Sequence, residues 1–244
     1  MKMISSFSHL GFLVRFVACC LLGAALAGHA QTAPDASETP RFRTLGWGVR
    51  ASDLHYSLGG KDVPVPVFDA GRSGFHRLPK TDAIRFYRLV ENAEGKVERV
   101  TVAEVSLADS GPLPLLVFLP DPADAARYRI VPVADDLKAF PPRSCRFVNL
   151  TAVTINATVG DSAVVVPGGG EQVVDTHLGE GESSTRYTTV FVDIRDDKLM
   201  LAYNNWVFRP GQRTLVFIFL DKQGRPQVVR VVDGVNQLKP VGPT

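Results

Sequence analysis

The sequence has only three cysteines, and two of them, Cys19 and Cys20, lie close to the N-terminus. If the N-terminal segment is removed, Cys145 alone remains, and a single cysteine excludes both an internal disulfide and a metal site made of cysteine pairs. Because Cys145 lies in an apolar run, we expect a buried and unreactive thiol. The stability of the fold must therefore come from an apolar core, which about 210 residues are enough to build.

An excess of charge of either sign is also missing beyond the first 30 residues. The whole sequence contains 27 Lys and Arg against 25 Asp and Glu, and the only charged residues among the first 30 are Lys2 and Arg15. The remaining chain therefore carries 25 charges of each sign, with histidine neutral, and no basic cluster. Nucleic-acid binding requires a positive field that displaces counterions from phosphates, so we predict no nucleic-acid partner.

Recognisable motifs for catalysis and for metal binding are also missing from the sequence. Beyond residue 30 the histidines are His55, His76 and His177, and none has a second histidine at metal-ligand spacing. Neither His-Glu-x-x-His nor Gly-x-Ser-x-Gly occurs. Residues 193–197 gather three aspartates that could bind Ca²⁺, but the intervening Arg195 favours a solvated turn. We predict no catalytic residue, no metal and no cofactor, and a secreted hydrolase ranks third among the functions considered.

The features that are present begin with an export signal. Lys2 and Arg15 are the only charged residues before an apolar run of 12 residues, Phe16–Ala27. Small residues follow the run at the positions that a signal peptidase requires for cleavage after Ala30. The run is shorter than the ~20 residues of a membrane-spanning helix. We therefore predict cleavage near Ala30, a secreted or periplasmic protein, and no transmembrane segment in the mature chain. A short membrane anchor and a lipoprotein modified at Cys19 are the alternatives.

Short apolar runs rich in Val, Ile, Thr, Phe and Tyr alternate with turns from Leu45 onward. Such runs fit half-buried strands, and the turns Asn92–Gly95 and Asp221–Gly224 end in glycine, as hairpin turns do. This spacing predicts an all-β fold of two tandem antiparallel β-sandwich domains of immunoglobulin-like type. The predicted segments are a signal peptide at 1–30, a flexible leader at 31–44, sandwich domains at 45–142 and 143–235, and a tail at 236–244.

An internal repeat favours the duplication of one sandwich. Three pairs of similar segments occur in the same order in the two halves: Ile84–Leu89 with Cys145–Leu150, Leu116–Phe118 with Leu215–Phe217, and Arg129–Asp135 with Gln227–Asp233. Their offsets of 61, 99 and 98 residues predict an insertion in the second half, between its first two segments. The alternative is that valine-rich strands resemble one another by chance.

The second pair of segments lies in two runs that are apolar on both faces, residues 113–119 and 214–220. An exposed face would show polar alternation, so we expect each run to be a central strand whose outer face is covered by the other domain. Each strand should also form an antiparallel hairpin with the next run, which is 129–133 in the first half and 228–232 in the second.

Tyr203, Asn205 and Trp206 form the candidate binding segment. A sugar-binding face uses aromatic rings to pack on C–H surfaces and amides to bond hydroxyls, whereas the competing interpretation places Trp206 in the core. The leading hypothesis is a non-catalytic exported protein that interacts with an unidentified protein in the periplasm, the envelope or the extracellular space. A carbohydrate-binding module that uses this segment is the alternative, and the exposure of Trp206 separates the two.

The segment Phe140–Thr151, together with Val166–Gly169 further along the chain, resembles small exported bacterial proteins of β-sandwich type. This resemblance implies an exported compartment and a sandwich fold. It implies no activity.

Overall fold

The computed structural model describes residues 40–108, 110–179, 181–194, 197–221 and 223–234, so the predicted signal peptide and tail lie outside the described residues. The strands are β1 (Arg41–Gly46), β2 (Leu54–Leu58), β3 (Lys61–Pro64), β4 (His76–Arg77), β5 (Ala83–Glu91), β6 (Val97–Ser106), β7 (Pro114–Pro120), β8 (Tyr128–Ala134), β9 (Ser144–Asn149), β10 (Ile155–Val159), β11 (Ser162–Val166), β12 (Glu171–Asp175), β13 (Ser184–Ile194), β14 (Asp197–Phe208), β15 (Gln212–Leu220) and β16 (Pro226–Gly234). This part of the chain contains no helix that is long and apolar enough to cross a membrane.

The strands form four sheets of four strands each. We call them the first outer sheet (β3-β2-β5-β6), the first inner sheet (β4-β1-β7-β8), the second inner sheet (β12-β9-β15-β16) and the second outer sheet (β11-β10-β13-β14). Each outer sheet packs on its own inner sheet to make a sandwich, and the two inner sheets face each other. The predicted all-β fold of two tandem sandwiches is therefore confirmed, while its immunoglobulin-like character stays a prediction.

Three apolar cores hold these layers together. Their members include Phe42 and Phe86 in the first sandwich, Phe147 and Val190 in the second, and Val117 and Phe217 between the inner sheets. Because the third core joins the sandwiches, the described residues from 40 to 234 belong to one compact unit.

The central strands β7 and β15 are buried on both faces, as the sequence predicts. On β7, Leu116 and Phe118 face the core of the first sandwich, whereas Leu115 and Val117 face the core between the inner sheets. Successive residues of a strand point to opposite sides, so a strand covered on both sides must be apolar throughout. The predicted antiparallel hairpins β7–β8 and β15–β16 are both present.

The two sandwiches share one topology. The sheet orders correspond strand by strand, and each inner sheet contains one parallel pair, β1 with β7 and β9 with β15. The outer hairpins β5–β6 and β13–β14 also carry a bulge at corresponding positions, after Phe86 and after Val190. The β13–β14 hairpin is therefore the counterpart of β5–β6, and the insertion predicted in the second half is wrong.

The first pair of repeated segments is wrong as well. Ile84–Leu89 lies in β5 of the first outer sheet, whereas Cys145 to Asn149 lie in β9 of the second inner sheet, whose counterpart is β1. Both strands contain an Arg-Phe pair between apolar residues, and that local pattern does not determine which sheet a strand joins.

The second pair joins corresponding strands but is one residue out of register. Phe118 faces the core of the first sandwich, and Phe217 faces the core between the inner sheets. A shift of one residue moves a side chain to the opposite face, so Val117 is the counterpart of Phe217.

The first sandwich also begins earlier than the sequence predicts. β1 starts at Arg41, inside the segment assigned to a flexible leader, and its residues from Phe42 to Gly46 are buried. The reason is that β1 is an interior strand of the first inner sheet, between β4 and β7.

Candidate functional site

The candidate binding segment lies on β14, an edge strand of the second outer sheet. Tyr203 is 57% exposed and Asn205 is also exposed, whereas Trp206 is only 5% exposed. Tyr203 and Asn205 lie on the solvent side because alternate residues of a strand share a face. The structure therefore brings these two residues together and separates Trp206 from them.

Trp206 is held in the core of the second sandwich by aromatic and cationic neighbours. Its ring centroid lies 6.5 Å from those of Phe147 and Phe208, and the guanidinium of Arg230, on β16, lies 5.1 Å above the ring. A ring enclosed in this way cannot pack on a ligand at the outer surface, which removes Trp206 from the carbohydrate-binding alternative.

Tyr187 on β13 is the surface residue that the sequence analysis missed. In the β13–β14 register Tyr187 lies opposite Asn205, and Thr189 lies opposite Tyr203. The rings of Tyr187 and Tyr203 meet edge to face with centroids 4.7 Å apart, and a hydrogen bond with Tyr203 raises the pKa of the Tyr187 hydroxyl. Only the register of two strands, which sequence alone does not give, shows that these tyrosines are neighbours.

The two tyrosines belong to a larger surface on the second outer sheet, most of whose side chains are uncharged. On β10, the Thr158 hydroxyl lies 2.7 Å from that of Thr189, and Asn156 donates a 2.7 Å hydrogen bond to Asp193, the exposed carboxylate beside this surface. We define the tyrosine face by a set of uncharged outward side chains, which are Asn156, Thr158, Val165, Tyr187, Thr189, Met200, Tyr203, Asn205 and Val207. The face combines exposed aromatic and aliphatic groups with amides and hydroxyls.

The corresponding face of the first sandwich has a different chemistry. Arg85 and Glu104 lie opposite each other, at the positions of Thr189 and Tyr203, and form an exposed ion pair at 3.1 Å. An open groove of about 420 Å³ crosses this face. Nearby, burial and a hydrogen bond to Asp62 raise the pKa of Tyr87 to about 12. At these two positions the first sandwich therefore carries an ion pair where the second sandwich carries uncharged side chains.

A buried charge cluster lies between the inner sheets, and the sequence analysis missed it too. We define it as Arg43, Arg72, Arg213, Asp135 and Asp233, all of them buried or nearly so. Arg43 lies 2.7 Å from Asp135 and 3.0 Å from Asp233, and Arg213 lies 2.9 Å and 3.3 Å from the same two carboxylates. The two aspartates occupy corresponding positions at the ends of β8 and β16.

The electrostatics of the cluster favour the ionised form of Asp233. Burial raises the pKa of Asp233, but the neighbouring guanidiniums of Arg72, Arg43 and Arg213 lower it further than burial raises it. Three guanidiniums face two carboxylates, and the Nε atoms of all three arginines lack a hydrogen-bond acceptor among the described residues. The cluster joins residues of the first sandwich to residues of the second through buried ion pairs.

The remaining reactive side chains are dispersed or enclosed. His76 packs on Phe42 with ring centroids 5.3 Å apart, and burial lowers its pKa. His55 bonds the carbonyl of Asp53. Burial raises the pKa of the Cys145 thiol well above its usual range, which is the inert environment that the sequence predicts. In the described part of the chain, no group of three or more His, Cys, Asp or Glu side chains is placed to hold a metal ion.

Comparison with known proteins finds no protein-family model that matches the chain and no matching curated protein.

Proposed function

We propose that this chain is an exported, non-catalytic binding protein that contacts a partner protein through the tyrosine face. The observation that carries the proposal is the contrast between corresponding positions of the two sandwiches. Where the first sandwich has the Arg85–Glu104 ion pair, the second has Thr189 and an exposed Tyr203.

The composition of the tyrosine face suits protein recognition. Tyrosine provides a large, rigid, amphipathic contact area at low cost in side-chain entropy, and asparagine and threonine provide adaptable hydrogen bonds. The edge-to-face contact of Tyr187 with Tyr203 holds both rings in place before a partner arrives, which lowers the entropy lost on binding. A partner surface of low charge, with aliphatic groups and hydrogen-bonding atoms, complements this face.

Export rests on the sequence of residues 1–30. The order of basic residues, apolar run and small residues is that of a cleaved signal peptide. Mass spectrometry of the exported protein should therefore find Gln31 at the N-terminus, cyclised to pyroglutamate or not. Intact protein that begins at Met1 in the membrane fraction would contradict export by this route.

The burial of Trp206 counts against the carbohydrate-binding alternative, which retains only Tyr203 and Asn205 of its three residues. Tyr203 presents an exposed ring and Asn205 an exposed amide on the same face. Binding to a purified polysaccharide that is lost in Tyr203→Ala, without a protein partner, would favour this alternative over the leading proposal.

Photo-crosslinking from matched positions tests the leading proposal. A photoreactive phenylalanine replaces Tyr203 in one variant and Glu104 in the other, because these residues occupy corresponding positions on the two outer faces. A specific adduct with a protein other than this chain, formed from position 203 but not from position 104, is the expected result. Equal adducts from both positions would contradict a partner that recognises the tyrosine face.

The crosslinked protein is then purified and its affinity measured. Truncating a central interface tyrosine commonly costs enough to weaken binding about tenfold or more, so Tyr187→Ala should do so. Arg85→Ala, on the other outer face, should leave the affinity unchanged. Wild-type affinity in Tyr187→Ala would show that the tyrosine face is not the binding surface.

A further inference from the structure

The outer edge of β14 has no partner strand among the described residues. β14 is the last strand in the order of the second outer sheet, and its 12 residues make it the longest strand in the fold as described. An edge strand presents unpaired N–H and C=O groups that can pair with a strand of another chain.

A single contact shows which backbone groups point to this edge. Arg230, on β16 of the other sheet, donates a 2.8 Å hydrogen bond to the carbonyl of Val207. The carbonyl of Val207 therefore points away from β13. A strand residue directs its N–H and C=O to the same side, and alternate residues share that side, so the N–H and C=O groups of Asn205 and Tyr203 also point to the open edge.

From Leu199 onward β14 lacks, within its own sequence, the charged side chains that normally protect an edge strand, and the charged group bonded to its open edge is Arg230 of β16, at Val207. From Leu199 to Phe208 the sequence of β14 contains no charged residue and no proline. The corresponding edge strand β6 carries Glu98, Arg99 and Glu104. Both strands are bulged, so the bulge does not distinguish them, and charge is what protects β6 and not β14.

We propose that a second copy of this chain occupies the edge, with the two β14 strands pairing antiparallel about a two-fold axis near Asn204. This axis places Tyr203 of each copy opposite Asn205 of the other. It joins the two second outer sheets into one sheet of eight strands, with the two tyrosine faces side by side. The pairing does not depend on what the tyrosine face binds.

Self-pairing suits β14 because pairing about a two-fold axis places residues of β14 opposite residues of β14 in the second copy. Since β14 carries no charge from Leu199 to Phe208, no like charges oppose each other there. If β6 paired with its own copy about Thr101, Glu98 would lie opposite Glu104 of the other copy, and directly opposed like charges destabilise a strand pair. The uncharged part of β14 meets no such opposition in any register.

Sedimentation velocity over a concentration series tests the dimer. Wild-type protein should change from monomer to dimer, and Tyr203→Glu should weaken the dimer about tenfold or more by placing carboxylates on both sides of the axis. Val165→Glu puts the same charge on the same face at β11, the opposite edge of the sheet, and should leave the dimer intact. A protein that is monomeric throughout, or a dimer unaffected by Tyr203→Glu, would overturn the proposal.

A proline variant separates backbone pairing from side-chain packing. The N–H of Asn205 points away from β13, so Asn205→Pro keeps the fold, since proline is tolerated on the free side of an edge strand, and should abolish the dimer. A folded Asn205→Pro dimer would exclude strand pairing.

Asn204→Cys should form an intermolecular disulfide, because a non-hydrogen-bonded antiparallel pair brings Cα atoms within about 4.5 Å, whereas Glu104→Cys should not. The absence of the Asn204→Cys disulfide would overturn the axis near Asn204. The two proposals can fail separately. Tyr187→Ala should weaken binding of the partner protein and leave the β14 dimer intact, which distinguishes the partner-binding proposal from the dimer proposal.

Discussion

Replacing Asp135 with asparagine removes one negative charge from the buried charge cluster and keeps the shape of the side chain. Asp135 lies 2.7 Å from Arg43 and 2.9 Å from Arg213, with Arg72 at 3.5 Å. The substitution leaves three guanidiniums around Asp233 alone. Removing one partner of a buried ion pair costs about 3–5 kcal/mol, so Asp135→Asn should lower the free energy of unfolding by about this amount.

A matched control uses an ion pair of similar length on the surface. Arg85 and Glu104 lie 3.1 Å apart but are well exposed, and such pairs contribute about 0–1 kcal/mol. Urea denaturation, followed by circular dichroism and tryptophan fluorescence, compares Asp135→Asn with Glu104→Gln. Coincident transitions by the two probes justify a two-state analysis.

The excess positive charge of the cluster supplies a rescue experiment. Arg72 contributes ion-pair contacts at 3.3 Å to Asp233 and 3.5 Å to Asp135, so Arg72→Met in the Asp135→Asn background should recover part of the lost stability. If Asp135→Asn costs no more than Glu104→Gln, or if the double variant is less stable than Asp135→Asn, the reasoning about the buried charges is wrong.

Three other predictions concern the cores and the titrating groups. Phe118→Ala should lower the free energy of unfolding by about 3–5 kcal/mol through the cavity it leaves, and Asp121→Ala, in the following turn, should cost far less; equal costs in urea denaturation would contradict the burial of Phe118. Because the pKa of Asp233 is lowered in the folded state, its contribution is complete above the ordinary aspartate pKa and is lost as the pH falls below about 4. The free energy of unfolding should therefore fall less steeply with acid in Asp233→Asn than in the wild type, and equal slopes would refute this. Cys145 should react with a thiol reagent only in the unfolded protein, since its thiol is buried, and rapid labelling of the native state would disagree.

The sequence predicts those parts of the fold that have local causes. The hairpins β7–β8 and β15–β16 were predictable because each joins two apolar runs through a turn that begins with Asp121 or Asp221. The coverage of β7 and β15 by the other sandwich was predictable because both strands are apolar on both faces. The residues that make up each of these patterns lie within about twenty positions of one another in the sequence.

β1 was missed because its burial depends on distant residues. Arg43 and Thr44 carry no apolar signal, yet both are buried, and Arg43 is neutralised by Asp135 and Asp233, which are 92 and 190 residues away. The sequence does not show whether an arginine is buried or exposed, so it predicts that residues 41–44 belong to the flexible leader. The Tyr187–Tyr203 contact was missed for the same kind of reason, since it depends on strand register.

The separation between Arg43 and Asp233 has a consequence for incomplete copies of the protein. Asp233 comes from β16, the last strand of the fold as described, and it meets Arg43 from the first strand. A chain cut short before Asp233 would leave the guanidiniums of Arg43, Arg72 and Arg213 with Asp135 as their only carboxylate in the cluster. We expect such a fragment to lose stability as the removal of one partner of a buried ion pair does. Asp233 thus makes the burial of the first strand depend on the last strand of the fold as described.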